Sequence, residues 1–561
     1  MPRRRERIIV PSASPSLASL GAIVFAVALA ARLFAAWQFG DLPISRTPQL
    51  DSAEYLNWAR EIATGSAAWP PYPAHAPGYP FFLGTLLALF DGSLMAIRVC
   101  EALLGAIGCV LTARIAARTL GRGAFLPAGL LQAAYGPLIY LDTALLAESL
   151  FVFLLVLSLD IVTTAERSRK RWLLVGAAVG AASIVRPTAL ALIPAYAIVM
   201  AGSLKWQRRA WPLVGALAAG VLIFVLPVVI QNWRVSGVPM IQAYGGMNVY
   251  LGNRPSGDGA ARARPGGEWD RLEGDASREG ASQREQDRYY LQRALDEISR
   301  QPARYLQLLA SKLFRAFENE ELRDTHSYYF FVDAMPLLRW LPSFGWIIAL
   351  AAAALLLTRG DGLSYVAAYL VAMLLTVVFL VIGTRYRMPI VPPLIVLAGG
   401  GIAALFERAR TRQWKRFALV TVAAIVVCAA SEWRSDRASR NLAEEWSFTG
   451  LSLLQERRLD EAERAYRQAI ALDESSFAWD GLGLVLQRRE LRNDARDAFV
   501  HALRINPDNA NAWLHLGLAY EFLRDPRAAI DAYQNALKIT PMRSEAQEML
   551  SSALSRYRAP R

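Results

Sequence analysis

The 561-residue chain has few cysteines and histidines, and it lacks the glycine motifs of nucleotide-binding proteins. Its three cysteines, Cys100, Cys109 and Cys428, lie in apolar segments without a CxxC pair, so no disulfide framework or zinc site is indicated. The four histidines are widely spread, which argues against a metal site built from histidine. Because no Rossmann fingerprint or P-loop occurs, we expect no nucleotide cofactor.

Long apolar runs dominate instead: hydrophobic residues make up 54% of the chain. This composition predicts a multi-pass protein of the plasma membrane. The first run, 17–39, is too long for a signal peptide and is expected to be an uncleaved helix with a cytoplasmic N-terminus. The net charge of +13 comes mostly from short basic clusters between the runs, which is typical of cytoplasmic loops. The expected partners are therefore membrane lipids and not nucleic acid.

The apolar runs predict eleven transmembrane helices. An even number of predicted crossings separates successive basic clusters, so all of these clusters can lie in the cytoplasm. The same count places the long polar loops and the C-terminal tail outside. Besides 17–39, the predicted spans are 93–113, 124–140, 143–163, 172–185, 188–203, 211–231, 340–357, 363–382, 389–405 and 417–431.

These spans divide the chain into four parts. A basic cytoplasmic N-terminus, 1–16, precedes a membrane domain, 17–431, whose outer loops are 40–92 and 232–338. A linker, 432–441, leads to a repeat domain, 442–557. Within the second outer loop, 255–282 is rich in glycine and charge and is expected to be a mobile loop, whereas 285–317 has helical periodicity.

The tail contains an internal repeat of 34 residues. Trp479, Leu482 and Gly483 recur as Trp513, Leu516 and Gly517, and Ala498-Phe499 recurs as Ala532-Tyr533. This pattern resembles the tetratricopeptide repeat, in about three copies with a capping helix, because small residues let two helices approach and aromatic residues fill the gap. A surface that binds a protein partner is expected, and a simple spacer is the alternative.

The polar residues that are candidates for chemistry begin with the stretch 51–80 after the first span. If 51–62 is helical, Asp51, Glu54 and Tyr55 share one face. Two carboxylates beside aromatic rings at a membrane surface suit a general base or a metal ligand. The alternative is a solvated amphipathic helix at the interface.

Three further polar clusters are predicted on the same outer side: Arg186-Pro187, the glycine-rich 245–253, and Arg385–Pro389. The guanidinium of arginine binds two phosphate oxygens at once. The alternative is that an arginine at a helix end only extends its charged group to the membrane interface. Acids and arginines on one face indicate transfer of a group from a lipid phosphate. Glu148 also falls within an apolar run, where an acid is costly unless it is functional or paired with an arginine.

Several motifs resemble those of the GT-C superfamily of polyprenyl-phosphate-sugar glycosyltransferases. Asp51-x-x-x-Tyr55 with Ala59-Arg60-Glu61 is similar to the acidic motif of the first outer loop, and Pro77-Gly78-Tyr79-Pro80 to the motif that closes it. The chain is similar to the family-39 protein O-mannosyltransferases and to the lipid A aminoarabinose transferase. The fold class implied is all-α, with a GT-C helical bundle followed by an α-solenoid. The chain departs from many relatives in having Ser52 after Asp51, where they have a second acid.

The resemblance implies roles for particular residues. The catalytic residues would be Asp51, as a base whose pKa is raised in a partly desolvated pocket, and Glu54. A divalent cation such as Mg or Mn is a further expectation of the resemblance. The donor phosphate would be held by Arg186, Arg385, Arg387 and His75, and the substrate by Tyr55, Tyr79, Asn248, Asn253 and Tyr386.

The implied function is the transfer of one sugar from a polyprenyl-phosphate donor to a protein or envelope glycolipid, by inverting displacement on the extracytoplasmic face. One alternative is an oligosaccharide ligase or polymerase that uses a lipid-pyrophosphate donor. A second alternative is a non-enzymatic membrane scaffold that recruits partners through its repeats.

Overall fold

The computed structural model describes residues 16–561 except 67–68, 71–72, 166–167, 255–256, 258, 260–271, 273–281, 359–362, 432–441, 541–543 and 559–561. The secondary structure of the described residues consists of helices joined by short turns, which confirms the all-α prediction. The predicted N-terminal segment, linker and most of the predicted mobile loop fall outside the described residues. The domain boundaries that they define therefore stay predictions.

Among the described residues, six helices are long and apolar enough to cross a membrane, as judged by length and composition. They are Leu17–Gly40, Leu94–Leu120, Arg208–Ser236, Pro336–Leu357, Thr384–Arg410 and Trp414–Ser431. Three apolar helices of 10–17 residues accompany them, at Gly78–Leu89, Pro187–Ser203 and Leu363–Phe379. The chain is a membrane protein, and the count of eleven crossings stays a prediction.

The described α-helices are numbered in chain order. In the first half they are α1 Leu17–Gly40, α2 Pro43–Arg46, α3 Asp51–Thr64, α4 Gly78–Leu89, α5 Leu94–Leu120, α6 Phe125–Ala133, α7 Gly136–Leu141, α8 Glu148–Val162, α9 Arg169–Val185, α10 Leu192–Ser203, α11 Trp211–Ser236 and α12 Gly245–Asn253. Next come α13 Gln283–Arg300, α14 Pro302–Arg315, α15 Tyr328–Ala334, α16 Phe344–Leu357, α17 Leu363–Phe379, α18 Thr384–Arg387, α19 Val391–Arg410 and α20 Trp414–Ser431. The tail adds α21 Ala443–Gln455, α22 Leu459–Leu472, α23 Ser476–Arg488, α24 Arg492–Ile505, α25 Ala510–Phe522, α26 Pro526–Ile539 and α27 Ser544–Arg558.

Two predicted elements differ from the structure. The predicted span 124–140 is broken into α6 and α7, with Tyr135 in an extended conformation between them. The second difference lies in the outer loop 40–92, which contains the apolar helix α4. Gly78 begins α4 and lies so close to α9 that an added Cβ would come within 2.7 Å of the Ile184 carbonyl oxygen. A larger residue at this position would push the two helices apart.

The bundle has a basic end and an acidic end. At the basic end, Arg114 and Arg118 of α5 pair with Asp160 of α8, beside the start of α1. At the other end of α1 lie α2 and Asp51. Since α1 has 24 residues and each rises 1.5 Å, the two ends are about 36 Å apart. This separation agrees with the predicted sidedness of the basic clusters.

The tail forms three helix pairs and a final helix, as the 34-residue period predicts. In each pair a glycine of the first helix faces an aromatic ring of the second: Gly450 faces Tyr466, Gly483 faces Phe499, and Gly517 faces Tyr533. An added Cβ would come within 3.0 Å of the ring in all three cases. The recurring glycines therefore set the spacing of the helices, and substitution at any of them would loosen its repeat.

The first repeat helix, α21, packs directly onto the membrane domain. Gln49 donates to Ser452 Oγ at 3.2 Å and to Gln455 Oε1 at 3.1 Å. The His326 ring lies 5.4 Å from the Phe448 ring. The repeats and the Asp51 segment therefore lie at the same end of the bundle.

Candidate functional site

Asp51 begins α3 at the acidic end of the bundle. The preceding residue, Leu50, has φ 55°, which turns the chain sharply into the helix. Ser52 fixes this corner by donating its hydroxyl to the Ala144 carbonyl oxygen at 2.9 Å. The Asp51 side chain is about one-third exposed, at 32%. A carboxylate in the first turn of a helix is favoured by the helix dipole, and partial exposure leaves it accessible to a substrate.

Arg385 joins Asp51 to a second acid from a distant part of the chain. Its Nη2 lies 2.8 Å from Asp51 Oδ2, and its Nε lies 3.2 Å from Asp324 Oδ1. The Arg385 backbone N–H also donates to Asp324 Oδ2 at 2.8 Å. Among the described residues, its Nη1 has no hydrogen-bond partner although the side chain is only 6% exposed. A buried guanidinium with an unused donor is suited to hold an anion.

A second arginine lies beside the first. Arg186, between α9 and a short 3₁₀ turn, pairs with the buried Glu148 at the start of α8. The Tyr386 ring contacts both guanidiniums, with its centroid 5.2 Å from Arg186 and 5.8 Å from Arg385. Within the described chain, Arg186 Nε also has no hydrogen-bond partner. Of the two interpretations of Glu148, the structure shows the pairing with an arginine, and a functional role stays a prediction.

Aromatic residues form the wall next to Asp51. Tyr55, one turn after Asp51, lies 4.4 Å from the His75 ring and 5.0 Å from the Tyr79 ring, measured between centroids. His75 Nε2 lies 2.7 Å from Glu54 Oε2. Tyr79 donates its hydroxyl to the buried Glu101 at 2.7 Å. The predicted face of the 51–62 helix is therefore real, and the 74–80 segment packs against it.

The pKa values of Asp51 and Asp324 are shifted in opposite directions. Burial alone would raise the pKa of Asp51, but Arg385, His75 and Arg186 outweigh it and lower that pKa below its usual range. Burial raises the pKa of Asp324, and Arg385 offsets only part of this effect. The prediction of a raised pKa for Asp51 is wrong for this arrangement, because the sequence did not show that Arg385 is an immediate neighbour.

The structure places three of the predicted site residues elsewhere. Arg387 is fully buried and reaches Glu321 Oε2 at 2.5 Å. Asn253 uses its amide on the Val249 and Phe379 carbonyl oxygens and its own oxygen on Lys312. Asn248 lies in the same helix, α12, which packs on α13. These side chains support the outer segments, and their direct contact with a phosphate or a sugar stays a prediction.

Sequence reasoning missed Asp324. It belongs to the run Glu318–Asp324, in which Glu318, Glu320, Glu321 and Asp324 are buried. The signal was present, because four acids within seven residues lie directly before an aromatic segment in a predicted membrane-surface loop. The sequence did not reveal the partner of Asp324, because Arg385 is 61 residues away.

The expected divalent cation does not fit the residues present. Among the described residues, no three side chains of His, Cys, Asp or Glu cluster to hold a metal ion. Asp51, Glu148 and Asp324 are instead paired with arginines, which occupy the positions where a cation would neutralise them. The arginines can themselves supply the positive charge that a phosphate leaving group requires.

Two family models match parts of the chain. Residues 74–231 match the family model described as dolichyl-phosphate-mannose-protein mannosyltransferase. Residues 510–541 match the tetratricopeptide-repeat model. No curated protein sequence matches the chain.

The solved structures that match the chain include the following three. ArnT from Cupriavidus metallidurans, bound to undecaprenyl phosphate, is 13% identical over 95% of this chain and 88% of its own, with a TM-score of 0.42. Archaeal oligosaccharyltransferase AglB from Archaeoglobus fulgidus is 12% identical over 79% of this chain and 59% of its own, with a TM-score of 0.43. The Arabidopsis OM64 repeat domain is 19% identical over 20% of this chain and 94% of its own, with a TM-score of 0.20. The family matches confirm the resemblance predicted from the motifs and support a membrane glycosyltransferase with tetratricopeptide repeats.

Proposed function

We propose that this protein transfers one sugar from a polyprenyl-phosphate donor to an acceptor on the extracytoplasmic face of the plasma membrane. The observation that carries the proposal is the pair of arginines, Arg186 and Arg385, each with a buried donor nitrogen that is unused and each next to an acid. A leaving phosphate needs such donors, and an attacking acceptor needs a base within reach. The match of residues 74–231 to the mannosyltransferase model supports the same chemistry.

The reaction is an inverting single displacement. Asp51 accepts the proton of the acceptor hydroxyl as its oxygen forms a bond to the anomeric carbon of the sugar. The bond from that carbon to the phosphate oxygen breaks at the same time, and the electron pair leaves with the polyprenyl phosphate. Arg385 and Arg186 stabilise the charge of the departing phosphate. The acceptor proton therefore ends on Asp51, and the electron pair of the broken bond ends on the phosphate oxygen.

The low pKa of Asp51 makes it a weak base while it is paired with Arg385. The donor phosphate competes with Asp51 for the Arg385 guanidinium. When Arg385 turns its donors towards the phosphate, Asp51 loses its principal counter-charge and its pKa rises. Donor binding therefore switches on the base, and the protein avoids activating an acceptor when no sugar is present.

A protein acceptor is favoured by the position of the repeats. Helix α21 contacts Gln49, two residues before Asp51, and also contacts Ser327, three residues after Asp324. A polypeptide held by the repeats would therefore lie near the wall formed by Tyr55 and His75. Repeats of this class bind extended protein segments on their concave face.

The test is a donor panel supplied to the purified protein in lipid nanodiscs, with an envelope extract as acceptor. We expect transfer from polyprenyl-phosphate monosaccharides and none from lipid-pyrophosphate oligosaccharides. Arg186→Gln should lower the rate at least tenfold, whereas Arg339→Gln, an exposed arginine, should leave it unchanged. Transfer from the pyrophosphate donor alone would replace this proposal by a ligase, and no transfer from any donor would favour a scaffold.

A further inference from the structure

A groove lies at the basic end of the membrane domain, far from Asp51. It runs between the first half of α1 and the second half of α5, with α6 at its base, and has a volume of about 610 Å³. Its walls are apolar and include Leu17, Gly21, Phe25, Val110 and Phe125. Clefts of this size bury small ligands, and small residues such as Gly21 leave the space open.

Arginines form the polar end of this groove. Arg114, Arg118 and Arg122 line it together with the apolar residues. Arg114 Nη2 lies 3.4 Å from Asp160 Oδ2, and Arg118 Nη1 lies 2.9 Å from Asp160 Oδ1. Two guanidiniums therefore share one carboxylate. The buried carboxylate fixes their positions but neutralises only one of their two charges.

We propose that this groove binds an anionic phospholipid of the adjoining membrane leaflet. An acyl chain lies against the apolar walls, and the phosphodiester lies at Arg114 and Arg118, whose forked donors match phosphate oxygens. The shared carboxylate leaves a net positive charge at the mouth, which favours an anionic headgroup over a zwitterionic one. The site is about one length of α1 away from Asp51, so it does not depend on the proposed transfer reaction.

The lipid would stabilise the contact of α1 with α5 and α6. The N-terminal half of α1 meets these helices through small and aromatic side chains such as Val24 and Phe125. An acyl chain in the groove would add packing on the side of α1 that the side chains of α5 and α6 leave uncovered. Such basic pockets between helices are a recognised mode of lipid-headgroup binding.

The experiment measures bound lipid by native mass spectrometry of the purified full-length protein, equilibrated with phosphatidylglycerol or phosphatidylcholine. We expect one phosphatidylglycerol to be retained and phosphatidylcholine to be lost. In Arg114→Gln/Arg118→Gln, retention of phosphatidylglycerol should fall about thirtyfold, which corresponds to about 2 kcal/mol for two basic residues. The control, Arg208→Gln/Arg209→Gln, removes two arginines that do not line the groove and should retain the lipid.

A second variant tests the groove without changing its arginines, so that the result does not depend on the folding of the arginine double variant. Gly21→Leu leaves all arginines in place; an added Cβ would make ordinary contacts at 3.7 and 3.8 Å, and the side chain is introduced at a residue that lines the groove. It should also lose the retained phosphatidylglycerol, with an unchanged melting temperature in a lipid-free micelle. Equal retention of the two lipids by the wild type, or undiminished phosphatidylglycerol on Gly21→Leu, would overturn the proposal.

Discussion

Arg385 contacts acids that come from three different parts of the chain. Besides Asp51 and Asp324, its Nε lies 4.0 Å from Glu148 Oε1. A guanidinium can do this because it is planar and carries five donors, whereas an ammonium is a single point of charge. The geometry of the site therefore depends on arginine and not only on a positive charge.

Arg385→Lys should test this dependence. A lysine retains the charge, but its single ammonium cannot stay paired with Asp324 while it turns its donors from Asp51 to the phosphate. We expect kcat to fall about 100-fold, the range found when one preorganised donor is removed from a site. Initial rates of sugar transfer at saturating donor measure this effect. Arg339→Lys, at an exposed arginine, is the control, and a variant of Arg385 with wild-type kcat would show that only charge matters.

Lys312 offers a prediction about pH. Its Nζ donates to Asn253 Oδ1 at 2.9 Å and to the Leu380 carbonyl oxygen at 3.0 Å, and the side chain is fully buried. Burial lowers the pKa of Lys312 to about 8. Between this value and about 10.4, the ordinary pKa of lysine, the unfolded chain keeps a proton that the folded chain has lost. The folded state therefore gains stability as the pH rises through this range.

Relative to Lys312→Met, the wild type should become more stable as the pH is raised from 7.5 to 10. The full effect is on the order of 3 kcal/mol, since each pKa unit corresponds to about 1.4 kcal/mol. Melting temperatures in a nonionic detergent at a series of pH values measure it. Lys170→Met, at an exposed lysine, should show no such trend. A constant difference between wild type and Lys312→Met would mean that Lys312 is an ordinary lysine.

At the scale of elements, helix α21 connects the repeats to both halves of the site. Glu445 accepts from the Ser327 N–H at 2.7 Å and pairs with Arg323 Nη2 at 3.1 Å. Arg323 directly precedes Asp324, the second partner of Arg385. On the other side, Ser452 Oγ donates to the Thr47 carbonyl oxygen at 3.0 Å. The first repeat therefore belongs structurally to the membrane domain.

Glu445→Ala should lower the transfer rate although it touches no substrate. The change removes one of the two glutamate partners of Arg323 and the acceptor of the Ser327 N–H, so the segment that holds Asp324 loosens and Arg385 loses its fixed position. We expect kcat to fall at least tenfold with little change in KM for the donor. Glu463→Ala removes a glutamate that pairs with arginines within the repeats, and it should leave kcat unchanged. Equal kcat values for Glu445→Ala and Glu463→Ala would show that the first repeat does not contribute to catalysis.

Elements with a strong periodic signal were predictable from the sequence. The repeats follow from the 34-residue recurrence of glycine and aromatic residues, because each of these residues has the same packing role in every copy. The long apolar helices follow from hydropathy. The break between α6 and α7 was missed although a local signal was present, because Gly136-Pro137 is a helix-breaking pair and Pro137 stands in the first turn of α7.

The site was only partly predictable for a different reason. Asp51, Tyr55, Arg186 and Arg385 could be found because they stand in short motifs. Their pairing could not, because it depends on how helices distant in sequence pack against one another. The low pKa of Asp51 shows the consequence: from the loop alone, burial is the only expected influence, whereas the neighbouring guanidinium decides the direction.

At the scale of the whole molecule, the repeats and Asp51 lie at one end and the basic clusters at the other. We predict that a membrane-impermeant thiol reagent labels Glu490→Cys in intact cells, because this exposed residue lies in the repeats, which the proposed topology puts on the extracytoplasmic side. Arg412→Cys, exposed at the turn between α19 and α20, should be labelled only after lysis. Both variants are made in a chain whose three cysteines are replaced by serine. Labelling of both residues from the same side would contradict the proposed topology.

The most direct test of the proposed function is single-turnover sugar transfer by the protein in lipid, comparing the wild type with Asp51→Asn. Each is loaded with a polyprenyl-phosphate monosaccharide and mixed with an envelope acceptor, and Asp333→Asn, at an exposed aspartate, serves as control. Loss of the base should slow transfer by about 10²–10⁴-fold while donor binding and melting temperature persist. Transfer by Asp51→Asn at the wild-type rate would contradict the account, because no proton acceptor at Asp51 would then be required.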